Sequence, residues 1–162
     1  MDISGESKKL EKIILVFNDL VTKNELQNCT LSIYCSSKDE KELLDKFVYT
    51  KNINDSIKIH NRIPSQDFYY ELFRSDIGLI PLPNTHHVNS FSSSMKFFEY
   101  IRAGLVVLCS NVEANKRFDY EKSVFIDDDS GSIKKGILES IKILGEEIDF
   151  DIEKIKEYSY EN

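Results

Sequence analysis

The chain has 162 residues, 41% of them hydrophobic and 30% charged, with a net charge of −7. That is enough apolar material for one substantial core, so a single domain over residues 1–162 is expected and disorder is not. The acidic balance excludes a broad phosphate-tracking surface of the kind nucleic-acid binders use, and no apolar run has the length of a membrane span.

The opening MDISGESKKLEK lacks the apolar stretch of a signal peptide, which points to the cytosol. Cys29, Cys35 and Cys109 are odd in number and widely spaced, so they suit neither a disulfide framework nor a zinc site. Leu10, Ile13, Ile14, Phe17, Leu20 and Val21 recur at helical spacing and predict the first helix, with Ser7 as its cap. Ahead of it only Met1 to Ser4 remain for the central first strand of a doubly wound sheet, which makes that strand a stub or the chain a part of something longer.

Thr30 to Ser36 is β-branched and aromatic and predicts a strand. Lys38 to Phe47 predicts a helix with Leu43, Leu44 and Phe47 inward, and Ile57 to His60 a short strand. Ser65 can cap a helix carrying Phe68, Leu72 and Phe73. The run Ile77 to Pro81 suits a strand buried on both faces, as parallel sheets require. A long polar loop follows from Leu82 to Ser94, between a strand's carboxyl end and a helix's amino end, which is where open α/β sheets bind ligands. His86 and His87 stand in it without a third ligand at suitable spacing, so no metal site is expected.

Ser92 to Ser110, SSSMKFFEYIRAGLVVLCS, organises the rest. Three serines can cap a short amphipathic helix with Met95, Phe98 and Ile101 inward, Gly104 can take the left-handed turn that stops it, and an apolar strand follows over Val106 to Cys109. Helix amino ends favour anions, so this turn is a candidate phosphate cradle. Lys96 and Glu99, three apart, also fit a solvated ion pair. Ser123 to Ile126 predicts the last strand, and Ser130 or Ser132 caps a helix carrying Ile133, Ile137, Leu138, Ile141 and Leu144. The closing DIEKIKEYSYEN predicts a short charged helix. Strand and helix alternate throughout, which predicts a Rossmann-like three-layer sandwich: a parallel sheet with helices on both faces.

Met95-Lys96-Phe97-Phe98-Glu99-Tyr100-Ile101-Arg102-Ala103-Gly104-Leu105-Val106-Val107 resembles the Lys-Leu-Phe-Glu-Tyr-Met-Ala-Ala-Gly run of the C-terminal, donor-binding domain of GT-B glycosyltransferases of family 4 (glycosyl transferases group 1). The resemblance implies that Glu99 contacts the nucleotide ribose and that Ser93, Ser94, Met95 and Lys96 hold the diphosphate. Gly5 with Lys8, Lys9, Leu10 and Glu11 resembles the family's Gly-Arg turn and Lys-Gly-Leu-Glu helix start, which implies a diphosphate contact from Lys8. Glu6 stands where the family has arginine and Lys9 where it has a second glycine, and Lys8 fits a solvated lysine as well.

Arg62, Ile63 and Pro64 match the family turn whose backbone meets the nucleobase, although Asn61 replaces its glycine and Arg62 also suits a surface ion pair. Phe91 stands where many members carry a second glutamate, and His86, His87 and Phe91 are the candidate contacts to the donor sugar. Taken whole, the resemblance implies the donor-binding half of a metal-independent, retaining glycosyltransferase of polysaccharide or glycolipid assembly. Its substrate would be a UDP- or GDP-hexose, with no further cofactor. The acceptor, and any membrane contact, would belong to an N-terminal domain, without which the chain binds donor but transfers nothing.

No Gly-X-Gly-X-X-Gly, Walker loop or nucleophile elbow is present, which removes the commonest dinucleotide, NTPase and hydrolase readings. Two alternatives stay open: a non-catalytic nucleotide-binding or scaffold domain of a glycosyltransferase complex, and a flavodoxin-like or receiver-like interaction domain.

Overall fold

The computed structural model of the chain describes residues 3–85 and 95–145, with side chains from residue 8 onward. The elements in chain order are α1 (Ile3–Thr22), β1 (Leu31–Tyr34), α2 (Lys38–Thr50), β2 (Ile57–His60), α3 (Ser65–Phe73), β3 (Ile77–Ile80), α4 (Met95–Arg102), β4 (Val106–Ser110), α5 (Glu113–Lys116), β5 (Ser123–Ile126) and α6 (Ser130–Leu144). Met1 and Asp2, the loop carrying His86, His87, Phe91, Ser93 and Ser94, and the closing charged segment lie outside the described residues.

Three helices end in the same way. Asn24 (φ 58°), Asn52 (φ 50°) and Gly104 (φ 74°) each take the left-handed conformation two residues past the last residue of the helix. The amide after each reaches back to close the last turn: Glu25 to the Leu20 carbonyl, Ile53 to Val48 and Leu105 to Tyr100. Asparagine substitutes for glycine at such a stop because its short polar side chain lowers the cost of positive φ. Helix α2 starts with a reciprocal cap, in which Ser37 accepts from the Glu40 amide while the Glu40 carboxylate accepts from the Ser36 amide at 2.7 Å.

All pairings are parallel: β1 with β2 in one sheet, and β3-β4-β5 in order in the other. Period-two alternation divides the strand side chains between two cores. Val106, Leu108, Val124 and Ile126 face one side with Ile13, Ile14, Phe17 and Leu20 of α1, Leu44 of α2, and Ile133 and Ile137 of α6. Ile80, Val107 and Cys109 face the other with Leu72 of α3 and Phe97, Tyr100 and Ile101 of α4. Helices therefore cover both faces in a Rossmann-like three-layer sandwich, and β4, between two neighbours, is buried at every residue. Each wholly buried Ile or Phe contributes about 1.5–3 kcal/mol relative to exposure. Phe118 joins the second core, stacked on Phe97 at 4.5 Å and edge-on to Phe98 at 4.9 Å.

Several expectations are corrected. Ser4, Gly5 and Ser7 lie inside α1, so neither a strand nor a turn occupies Ile3 to Ser7 and the helix does not begin at Ser7. Pro64 precedes α3 and no side chain bonds its first turn, so Ser65 is a helical residue and not the cap. Asp129 caps α6 by accepting from the Ser132 amide, while Ser132 works in reverse, its hydroxyl accepting from the Asp127 amide at 2.9 Å. On α4 the buried residues are Phe97, Tyr100 and Ile101 with Met95 exposed, because the Tyr100 ring fills the space over Gly78 and sets the helix rotation. Leu43, Phe73 and Leu144 are exposed, whereas Leu44, Leu72 and Ile133 take the core positions of their helices. The short helix α5, between β4 and β5, is an element that the sequence pattern does not predict.

Candidate functional site

The carboxyl ends of β3, β4 and β5 converge beside the start of α1, where Lys9, Asn84, Asn111, Ile126 and Asp128 line a small open crevice of about 40 Å³. Lys9 is 5% exposed. It lies in phase with Ile13, Val16 and Leu20 on the buried stripe of α1, so its ammonium must find partners at the end of its stem. It finds the Asp128 carboxylate at 2.7 Å and the Ile126 carbonyl at 3.3 Å. Lys12, one turn on, donates to the Asp128 carbonyl at 3.0 Å, and the Asn111 amide donates to the Asp127 carboxylate at 2.9 Å. The first helix is thus tied to the turn between β5 and α6 by two lysines.

A second group sits at the carboxyl ends of β1 and β2. Tyr34 and His60, register partners, stack at 4.5 Å with their planes 13° apart. Phe68 of α3 meets Tyr34 edge-on at 5.9 Å, and Tyr69 lies beside it. Burial, helped by a hydrogen bond with Glu71, raises the Tyr34 phenol above its ordinary pKa. The Tyr69 hydroxyl crosses from α3 to α4 and donates to Glu99 Oε1 at 2.9 Å. That bond to a carboxylate raises the Tyr69 phenol in turn.

These geometries place the expected residues as follows. Glu99 is half-buried, one turn into α4, with its carboxylate held by another helix rather than by Lys96. Arg62 is exposed and Ile63 half-buried in the turn that leads into α3, the helix that carries Tyr69. Lys8, Met95 and Lys96 are exposed. Ser93, Ser94, His86, His87 and Phe91 lie outside the described residues.

The lysine that enters the crevice is Lys9, one residue after the one the resemblance selects. Its signal in the sequence was its place on the apolar stripe of α1. Tyr69 carried no such signal, because its partner is thirty residues away on another helix. Set against known proteins, the chain matches no protein-family model and no curated protein.

Proposed function

We propose that this chain is the nucleotide-sugar-binding half of a cytosolic glycosyltransferase, taking a UDP- or GDP-linked hexose and working with an acceptor-binding partner domain. The Tyr69–Glu99 bond carries the reading, since it holds a carboxylate of α4 against α3, the helix that follows the Arg62–Ile63 turn. A fixed carboxylate is the group that a ribose diol requires, because both hydroxyls can donate to its two oxygens.

The diphosphate falls to Lys9 in the crevice, with Lys96 at the amino end of α4 as a second cation. Charge that develops on the departing diphosphate is then met by groups already in position, and fixed cations stabilise it without reorganising. Lys9 is paired with Asp128, so an entering anion must compete with a carboxylate for it. That pairing also favours the second reading, a non-catalytic nucleotide-binding or scaffold domain in which the ion pair serves the fold.

Calorimetric titration of the chain with UDP and with GDP tests the proposal. One of the two is expected to bind, and Glu99→Ala to weaken it by about tenfold or more, the scale of one charge-assisted hydrogen bond. Binding indifferent to Glu99→Ala would remove the ribose assignment, and no binding of either at millimolar concentration would favour the scaffold.

A further inference from the structure

Helix α4 carries two apolar triads at helical spacing, Phe97 with Tyr100 and Ile101, and Met95 with Phe98 and Ile101, and only the first is buried as a set. Turning one face inward rather than the other rotates the helix by roughly 100°, since successive residues stand about that far apart. Glu99, one position before Tyr100, is carried round with it. The rotation therefore decides where the carboxylate points.

Gly78 makes the choice. It stands with Ile80 on the α4 face of β3, in register with Val107 of β4. A Cβ built on it would overlap the Tyr100 ring, so the ring takes the space that any other residue's side chain would fill. The Tyr100 hydroxyl reaches on to the Leu79 carbonyl at 3.4 Å, which ties the far end of the ring to the same strand.

With Tyr100 so seated, Glu99 turns sideways toward α3, where the Tyr69 hydroxyl donates to it at 2.9 Å. The carboxylate is close enough to Tyr100 to add to burial in pushing that phenol up to about 12. One tyrosine thus sets the rotation of the helix and the other the rotamer of Glu99. The dependence is steep, because non-bonded carbons rest about 3.5–4.0 Å apart, and a side chain on Gly78 must drive the ring back by about 1 Å or more. An O–H···O bond spans only about 2.5–3.0 Å, so a shift of that size in α4 takes Glu99 out of reach of Tyr69.

We infer that Gly78 and Tyr100 are positioning residues for nucleotide binding: the ring seated over the glycine sets the rotation of α4 and so presents the Glu99 carboxylate to the ribose hydroxyls. The inference rests on the ribose assignment of Glu99, through which both residues act.

Two measurements on the full chain test it. NMR titration of the Tyr69 phenol needs no ligand, and in the parent it should lie above the ordinary 10.0 because of the bond to Glu99. Tyr100→Phe, which keeps the ring, should leave it there, whereas Tyr100→Leu and Gly78→Ala should return it towards 10.0, as Glu99→Ala does directly. Calorimetry with UDP and with GDP is the second. Tyr100→Phe should stay within about twofold of the parent, while Tyr100→Leu and Gly78→Ala weaken binding several-fold, with little further loss when Glu99→Ala is added. Tyr100→Leu opens space instead of overfilling it, so it carries the test if Gly78→Ala does not fold. A Tyr69 titration unmoved by Tyr100→Leu would overturn the inference, and so would an affinity loss that adds in full to that of Glu99→Ala. A parent that binds neither nucleotide would overturn it as well, and a Tyr69 titration that still responds to Tyr100→Leu would then locate the failure in the ribose assignment.

Discussion

Lys9 and Asp128 form an ion pair of unequal partners, 2.7 Å apart, in which the lysine is 5% exposed and the aspartate 55%. Removing either half should therefore have different consequences. Asp128→Asn leaves the buried ammonium without its counter-charge and should cost about 1–3 kcal/mol, below the usual figure for a buried pair because water already screens the carboxylate. Lys9→Met keeps the packed stem and removes the charge, and should be within about 1 kcal/mol of the parent. Urea denaturation measures both, and equal losses would show that packing, not charge, holds the first helix here.

The same pair lines the crevice. If the ammonium is the diphosphate contact, Asp128→Asn should tighten UDP or GDP binding several-fold while lowering stability, since the competing carboxylate is gone. Lys9→Met should weaken it. Calorimetry on the two variants separates this from a purely structural pair, for which neither changes affinity.

Tyr69→Phe removes one hydroxyl from an exposed surface, so stability should move by less than about 0.5 kcal/mol. Nucleotide affinity should nevertheless fall several-fold, because Glu99 is released into several rotamers. An unchanged affinity would separate Tyr69 from the site.

A methyl group on Gly78 would overlap the Tyr100 ring. Gly78→Ala should cost about 1–3 kcal/mol, since both atoms are enclosed between β3 and α4. Combining it with Tyr100→Leu should return part of the loss, and thermal denaturation of the single and double variants measures the coupling.

Burial raises Cys109 from an ordinary 9.0 to about 12, and Tyr100 and Tyr120 from 10.0 to about 12. These groups stay protonated in the folded chain while their unfolded counterparts ionise, so the unfolded state binds fewer protons. Their contribution to stability is whole below pH 9 and declines as pH rises from about 9 towards 12, more steeply once the tyrosines join near 10. Denaturation midpoints across that range should fall in two stages. At pH 8 a thiol reagent should modify half-exposed Cys29 first and reach buried Cys35 and Cys109 only on unfolding.

Apart from the short α5, local pattern was enough to determine the succession of strands and helices from Thr30 to Leu144, the Gly104 stop and the α/β class, because each rests on residues adjacent in the chain. Ser123 to Ile126 appears as a strand with the bounds its β-branched run suggests. Which face of α4 turns inward was not legible, since Met95, Phe98 and Ile101 repeat at helical spacing as well as Phe97, Tyr100 and Ile101 do. Only the hollow over Gly78 distinguishes them. Tertiary structure alone decided that Lys9 is buried against Asp128, that Tyr69 holds Glu99, and that the sheet is divided between β1 and β3. Each of these joins groups far apart in sequence, and such pairings are set by the packing of the layers, on which local propensity has no bearing.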